Sequence, residues 1–258
     1  MTSVQTPQSD TPSAPKFSIV IPVFREQANI ALCLESLERL RRIREVEVVV
    51  ADGDGGSTLA ALPPRPRPYA LHGVLSPPGR GRQLNAGAAR AAGEILVFLH
   101  VDTLLPAKAL GLIEAALETA AAGAFSLDHP SGRLFKWWVG VLNLFKRLFG
   151  TPYGDQACFL RRETFCALGG FEEIPIMEDV ALMRRLHRRH LRVRILPARV
   201  MTSDRRWRKT GYAFNFLRNL LLLWLYFLGV PPRWLAAVYR PHSGAAGMDR
   251  GKKRCRTG

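Results

Sequence analysis

Short apolar runs alternate with amphipathic stretches through the first half of this chain. Phe17 to Phe24 is apolar and β-branched, with Pro22 near its end, and reads as a first strand. Ala28 to Leu40 follows with Ile30, Leu34 and Leu37 on one helical face and Glu35, Glu38 and Arg39 off it. Val46 to Ala51 is a second apolar strand, closed by Asp52-Gly53-Asp54-Gly55-Gly56. Pro63 to Pro68 is a Pro/Arg loop, and Gln83 to Ala92 is an Ala-rich helix. Glu94 to Leu99, bounded by Gly93, predicts a buried parallel strand. Pro106 suits the first turn of a helix running to about Ala121, with Leu110, Ile113 and Leu117 as its stripe. Strand, helix, strand, helix, strand, helix predicts an α/β fold, a parallel sheet wound with helices.

The second half is less regular. Leu134 to Phe149 mixes Trp137, Trp138 and three phenylalanines with Lys136, Lys146 and Arg147. Ala157 to Leu160 is a short strand, Glu163 to Leu168 a short helix stopped by Gly169-Gly170, Val180 to His190 a helix and Leu191 to Leu196 a strand. Phe214 to Val230 is the most apolar stretch, yet Asn215, Arg218 and Asn219 interrupt it. Leu220 to Val230 falls short of the roughly 20 apolar residues a spanning helix needs, which predicts an interfacial or buried helix. Met1 to Pro15 is Thr-, Ser-, Pro- and Gln-rich, without a basic or apolar leader region, and reads as a disordered tail.

Composition narrows the picture. Hydrophobic residues make up 47% of 258, enough for a core. The four cysteines have no metal-ligand spacing, which fits a reducing cytosol better than a disulfide framework. Lys and Arg outnumber Asp and Glu 37 to 21, for a net charge of +16. Six arginines lie between Arg184 and Arg194, and a solvated helix face accounts for them. No nucleic-acid motif accompanies them, so nucleic acid is not an expected partner.

Candidate chemistry gathers at strand ends. Glu26 follows the first strand, Asp52 the second, and His100-Val101-Asp102-Thr103 the third. Open α/β sheets bind ligands at that edge, where an Asp can hold a divalent cation. Ordinary turn and cap roles are the alternative for each acid. Gly79 to Gly87 opens a helix with Arg80 and Arg82, an arrangement suited to phosphate. Glu178 and Asp179 stand at a helix start, where acids complement the dipole and where a general base can be kept ionised. Tyr153-Gly154-Asp155-Gln156 is a further polar cluster, read alone as a turn.

Taken together in order and spacing, several segments resemble family 2 glycosyltransferases of the A-type fold. They are Ser18 to Glu26, Gly79 to Gly87, Phe98 to Thr103, Tyr153 to Gln156, Gly169-Gly170-Phe171, Met177 to Leu182, Arg205-Arg206-Trp207 and Gly229 to Pro232. The chain looks most like the small bacterial subgroup called radical-SAM/selenodomain-associated transferase 2. The resemblance implies one nucleotide-diphospho-sugar transferase domain with a mostly parallel central sheet flanked by helices, plus C-terminal amphipathic helices. It implies a nucleotide-sugar donor and inversion at the anomeric carbon. Pro22 and Glu26 would frame the nucleotide pocket, Asp52 would bind the base, and Arg82 and Asn85 would line the donor site. Asp102 would ligate Mn2+ or Mg2+, with His100 standing where the family usually has a first Asp. Asp179, paired with Glu178, would be the catalytic base. Arg206 and Trp207 would lie near the diphosphate or acceptor, and Tyr153, Asp155 and Gln156 on the acceptor side.

The expected organisation is a tail over 1–15, the transferase domain over 16–211, an amphipathic helical segment over 212–240 and a basic tail over 241–258. The acceptor expected is a membrane lipid carrying a hydroxyl, with the protein cytoplasmic and peripheral on an anionic membrane surface. Two rivals remain. A nucleotidyltransferase would carry a Gly-rich loop with Lys after the first strand, and Pro22 to Gln27 has neither residue. A non-enzymatic RNA-binding protein would bind with a steep salt dependence.

Overall fold

The computed structural model describes residues 14–128, 154–202 and 212–239. Among them, eight strands form one sheet: β1 (Phe17–Val23), β2 (Val46–Asp52), β3 (Ala70–Leu75), β4 (Ile95–Phe98), β5 (Thr103–Leu104), β6 (Ala122–Asp128), β7 (Cys158–Arg161) and β8 (Val193–Thr202). Their order is β3-β2-β1-β4-β7-β6-β8-β5. The first four in that order are parallel, and β7 then runs antiparallel to both β4 and β6. The helices are α1 (Gln27–Leu37), α2 (Ser57–Ala60), α3 (Arg80–Arg90), α4 (Ala109–Leu117), α5 (Arg162–Ala167), α6 (Glu178–Arg188), α7 (Tyr212–Phe227) and α8 (Pro232–Val238).

Burial on both faces explains the unbroken apolar runs of β1, β2 and β4. Phe17, Ile19, Ile21 and Val23 of β1 pack with α1 and α4 on one face. Val20, between them, points to the other face, where Leu84, Phe98, Phe165, Leu182 and Leu186 gather. A smaller cluster joins Leu222 and Tyr226 of α7 and Leu235 of α8 to Val180 of α6.

The structure extends the expected elements in three places. β3 is an edge strand whose side chains are half-buried or exposed, so it lacks an apolar signature. β6 begins at Ala122, where the Ala-rich sequence reads as helix. Small residues are required there, because a Cβ on Gly123 would lie 2.5 Å from the Phe159 ring and 2.6 Å from the Arg194 carbonyl oxygen. The strand expected over Glu94 to Leu99 is β4, which ends at Phe98, and the chain then turns, Thr103 N–H donating to the His100 carbonyl at 3.0 Å, into the two-residue β5 beside β8. Residues 1–13 of the tail expected over 1–15, the aromatic-basic stretch Leu134 to Phe149 and the basic tail over 241–258 lie outside the described residues.

Candidate active site

The carboxyl ends of β1, β2 and β4 carry the first half of the site. Asp52 ends β2 and is fully buried. Its carboxylate accepts backbone N–H groups of Asp54 at 2.8 Å, Thr58 at 3.0 Å and Leu59 at 3.0 Å, which ties β2 to the start of α2. Asp54 in turn accepts the Arg25 and Ser57 N–H groups and the Thr58 hydroxyl, bracing this loop against the end of β1. Burial opposes the Asp54 charge, but hydrogen bonds involving Asp52, Ser57 and Arg25 outweigh it and hold the carboxyl well below its ordinary range. Glu26 accepts from the Asn29 amide at 2.6 Å, and half-buried Pro22 lies beside Ala51 in register.

The α3 N-terminus supplies the next wall. Gln83 is buried and donates its amide to the Val23 and Ala51 carbonyls, bridging the ends of β1 and β2. Asn85 closes a two-bond clamp with Phe171, accepting its N–H at 2.8 Å and donating to its carbonyl at 2.9 Å. Its amide therefore positions the Gly169-Gly170-Phe171 loop. Arg82 is half-exposed and pairs with exposed Glu173 at 2.9 Å, a surface contact of little strength. Arg80 instead turns inward. It pairs with Glu178 and reaches Asp179 at 3.5 Å. Gly81 permits this approach, since a Cβ there would sit 2.4 Å from the Glu172 carbonyl oxygen.

The acids face Arg80 from the start of α6. Met177, at φ 71°, turns the chain so that Glu178 and Asp179 open the helix. The Glu178 side chain is 2% exposed and the Asp179 side chain 14%, so the pair is divided: one carboxyl is enclosed against Arg80 and its neighbour reaches the surface. Burial pushes the Glu178 carboxyl up, the Arg80 charge opposing it. Burial also works against the Arg80 charge, and attraction to Glu178 and Asp179 outweighs it. Cys158, paired with Phe98 at the end of β4, has its thiol pushed up to about 12 by burial with help from the Asp179 charge. Cys33 of α1 is likewise pushed up to about 12 by burial and then by the Asp102 charge.

His100 and Asp102 are half-buried on the turn after β4. Thr103 meets Thr202 at 3.3 Å between hydroxyls, and the Thr202 hydroxyl donates to the Asp155 carbonyl at 3.5 Å. This connects the turn to Asp155, whose Oδ1 is buried and has no hydrogen-bond partner among the described residues. Gln156 is fully buried and donates to the Phe125 carbonyl at 2.6 Å. Among the described residues no three His, Cys, Asp or Glu side chains converge as a metal cage. Tyr153, Arg206 and Trp207 lie outside the described residues. Residue patterns paired Arg80 with Arg82 as phosphate donors, but the structure turns Arg80 toward Glu178; the same patterns gave Gln83 and Asp54 no role. The signal for Arg80 was the Gly on each side of it, which lets backbone come close, together with a buried Glu that needs a cation.

The fold is similar to that of S. aureus TarS 1-349 in complex with UDP, with a TM-score of 0.59 and 18% identity over 73% of this chain and 60% of that one. TarS 1-349 in complex with UDP-GlcNAc aligns with a TM-score of 0.57 at 18% identity, over 74% of this chain and 59% of that one. The mannosyltransferase PcManGT from Pyrobaculum calidifontis, in complex with GDP-Man and Mn2+, aligns with a TM-score of 0.63 at 20% identity over 93% of this chain and 69% of that one. This chain thus spans less than two thirds of the TarS fragment. No curated protein matches the sequence. The sequence profile of glycosyl transferase family 2 matches residues 18–167, from β1 through α5, and so takes in the strand ends, the α3 N-terminus and the Asp102 turn. A match over more than half of the 258 residues, on this sheet, places the chain in glycosyl transferase family 2.

Proposed function

We propose that this protein moves a sugar from a nucleoside-diphosphate donor to a hydroxyl acceptor, with inversion at the anomeric carbon and Asp179 as general base. The observation that carries the reading is the division of the acidic pair. Glu178 is enclosed and neutralised by Arg80, while Asp179, one residue on, reaches the surface at the sheet edge where open α/β folds take their ligands. TarS in complex with UDP-GlcNAc and PcManGT in complex with GDP-Man support the donor class.

In this reading the loops after β1 and β2, braced by Asp52 and Asp54, form the floor for the nucleotide, with Pro22 and Glu26 at its rim. Asp52 directs lone pairs to three backbone N–H groups, so its contribution to base binding is chiefly to hold that loop in shape. Arg82 lies on the exposed side of α3 and can meet the diphosphate. Asn85 fixes the glycine loop opposite. Asp179 takes the proton of the acceptor hydroxyl as its oxygen attacks the anomeric carbon, and the bond to the nucleoside diphosphate breaks. Arg80 orients the base by fixing its neighbour.

A divalent cation, as in PcManGT with Mn2+, suits the donor set here. With no cage of three ligands among the described residues, a cation would be held by Asp102 and His100 together with substrate phosphate oxygens. The Asp155 backbone is joined to that turn through two hydrogen bonds, Thr103 to Thr202 and Thr202 to the Asp155 carbonyl. When bound, the cation neutralises charge on the departing diphosphate. A lipid-linked acceptor is supported by the exposed apolar helices that pack beside the start of α6.

The test is a thermal-shift screen of UDP- and GDP-sugars with Mn2+ or Mg2+, followed by nucleoside diphosphate release from any stabilising donor. Asp179→Asn should lower release about 10²–10⁴-fold with donor affinity nearly unchanged. If no nucleoside-diphosphate sugar raises the melting temperature, the reading fails. If Glu178→Gln gives the large loss and Asp179→Asn does not, the base is misassigned.

A further inference from the structure

Twelve large apolar side chains are exposed among the described residues, and eight of them lie between Phe214 and Trp234. On α7, Phe214, Leu217, Leu221 and Trp224 recur at three- and four-residue spacing, each more than half exposed. The opposite side is buried: Leu222 and Tyr226 pack with Leu235 of α8 against Val180. So the hairpin is anchored by one face and presents a second apolar face outward. Trp234 of α8 is 66% exposed as well. No described helix is long and apolar enough to cross a membrane.

We propose that α7 and α8 dock this protein flat on an anionic lipid surface. The rings of Phe214, Trp224 and Trp234 would enter the boundary between headgroups and acyl chains, and nearby cations would meet the lipid phosphates. Charge selects this occupant. Residues 212–239 contain no Asp or Glu; of their two cations Arg233 is exposed, and Arg218 stacks over the Tyr239 ring. The following sequence, 240–258, carries Arg240, Arg250, Lys252, Lys253, Arg254 and Arg256 against the single acid Asp249. A second copy packed on this face about a two-fold axis would bring like charge to like charge, with one acid per copy over 212–258, in a chain already at +16. An anionic bilayer supplies the missing negative charge across the whole face.

The docking face also lies beside the candidate base. Ile176, Met177 and Val180, on either side of Glu178 and Asp179, pack against this hairpin. Docking would therefore bring Asp179 to the level of a hydroxyl carried by a lipid headgroup. That last step rests on the glycosyltransferase reading, whereas the lipid surface stands on the hairpin alone.

The experiment is co-sedimentation of the full chain with phosphatidylcholine vesicles and with vesicles containing phosphatidylglycerol, at low and high salt. The thermal shift by a UDP- or GDP-sugar is measured on the same samples. Binding should require phosphatidylglycerol and weaken with salt. Leu221→Asp combined with Trp224→Asp, both at exposed sites, should reduce binding at least about tenfold. Its melting temperature and donor thermal shift should match the parent. Wild-type protein left in the supernatant with anionic vesicles at low salt overturns the proposal, as does undiminished binding of the double variant. So does a dimer in sedimentation velocity that the double variant abolishes while neither protein binds vesicles. Vesicle binding without any donor thermal shift would instead sink the glycosyltransferase reading and leave the docking face standing.

Discussion

Arg80→Met tests whether Arg80 is what allows a carboxylate to be enclosed at Glu178. The substitution keeps much of the side chain's length and apolar stem but removes the charge. Breaking a fully buried ion pair by deleting one partner costs about 3–5 kcal/mol. Here Glu178 is enclosed while the Arg80 side chain is 39% exposed, so solvent already screens part of the attraction. A loss of about 2 kcal/mol is the working figure, or about 4–8 °C in melting temperature for a protein of this size.

The pH dependence separates this mechanism from lost packing. A carboxyl whose folded-state pKa lies above its unfolded value takes up a proton on folding, so stability falls as pH rises between the two values. Burial already pushes Glu178 in that direction, and removing Arg80 takes away the charge that opposes it. The difference between parent and Arg80→Met should therefore be small near pH 4.5 and grow to its full size by pH 8. Adding Glu178→Gln to the variant should restore most of the loss at pH 8, measured as a double-mutant cycle by calorimetry. An identical loss at every pH, with no rescue by Glu178→Gln, would show that Arg80 acts through its stem alone and would refute the reasoning.

Glu47 is buried in β2 and accepts from Ser18 Oγ at 2.5 Å and from the Ala92 and Gly93 N–H groups. Burial opposes its charge, these bonds outweigh it, and its pKa is lowered, so its contribution exists above the unfolded carboxyl value and is lost as pH falls. Glu47→Gln should therefore cost about 1.5–3 kcal/mol at pH 7 in urea unfolding, and less below pH ~4. Gly81→Ala should push the first turn of α3 off the Glu172 backbone, costing about 1–3 kcal/mol and weakening donor-induced thermal shifts; an unchanged melt and an unchanged shift would mean the contact relaxes freely. Asp102→Asn, at a half-buried turn, should leave the melt within about 0.5 kcal/mol of the parent while removing the Mn2+-dependent part of donor stabilisation; a cation effect that survives would take Asp102 out of the site.

The parallel half of the sheet was legible because β1, β2 and β4 are buried on both faces and so read as continuous apolar runs. In the other half the strands expected at Ala157 to Leu160 and Leu191 to Leu196 match β7 and the first part of β8, whereas β6 and β5 were not legible, for reasons visible in single residues. Ala122, Gly123 and Ala124 carry a strand only because Phe159 and the Arg194 backbone press too close for larger side chains. The two residues of β5 leave no periodicity to detect. In the site, the order of acids along the chain could be read as strand ends, and the start of α6 was expected within two residues of where it lies. Which arginine turns inward could not be read that way. Arg80 and Arg82 are two positions apart on α3, so they point to different sides of it, and tertiary contact alone decides which side meets Glu178.

Of the five non-glycine residues with positive φ among the described residues, three lie next to site segments, while Arg42 and His190 precede the starts of β2 and β8. Arg25 at φ 56°, Ala157 at φ 48° and Met177 at φ 71° hold left-handed conformations that cost L-residues roughly 1–2 kcal/mol each. Each one re-aims polar groups toward the carboxyl ends of the parallel strands. Arg25 presents its N–H to Asp54, Ala157 joins the Asp155–Gln156 turn to β7, and Met177 sets the first turn of α6. Such conformations persist only where the surroundings over-determine them. Asp54 does this for Arg25, and the buried Gln156–Phe125 bond does it for Ala157. For Met177 the support is its packing against the α7–α8 hairpin. The hairpin proposed to meet lipid by its outer face therefore braces Met177, at the start of α6, by its inner face. Any force that shifts the hairpin acts on the candidate base through one strained residue.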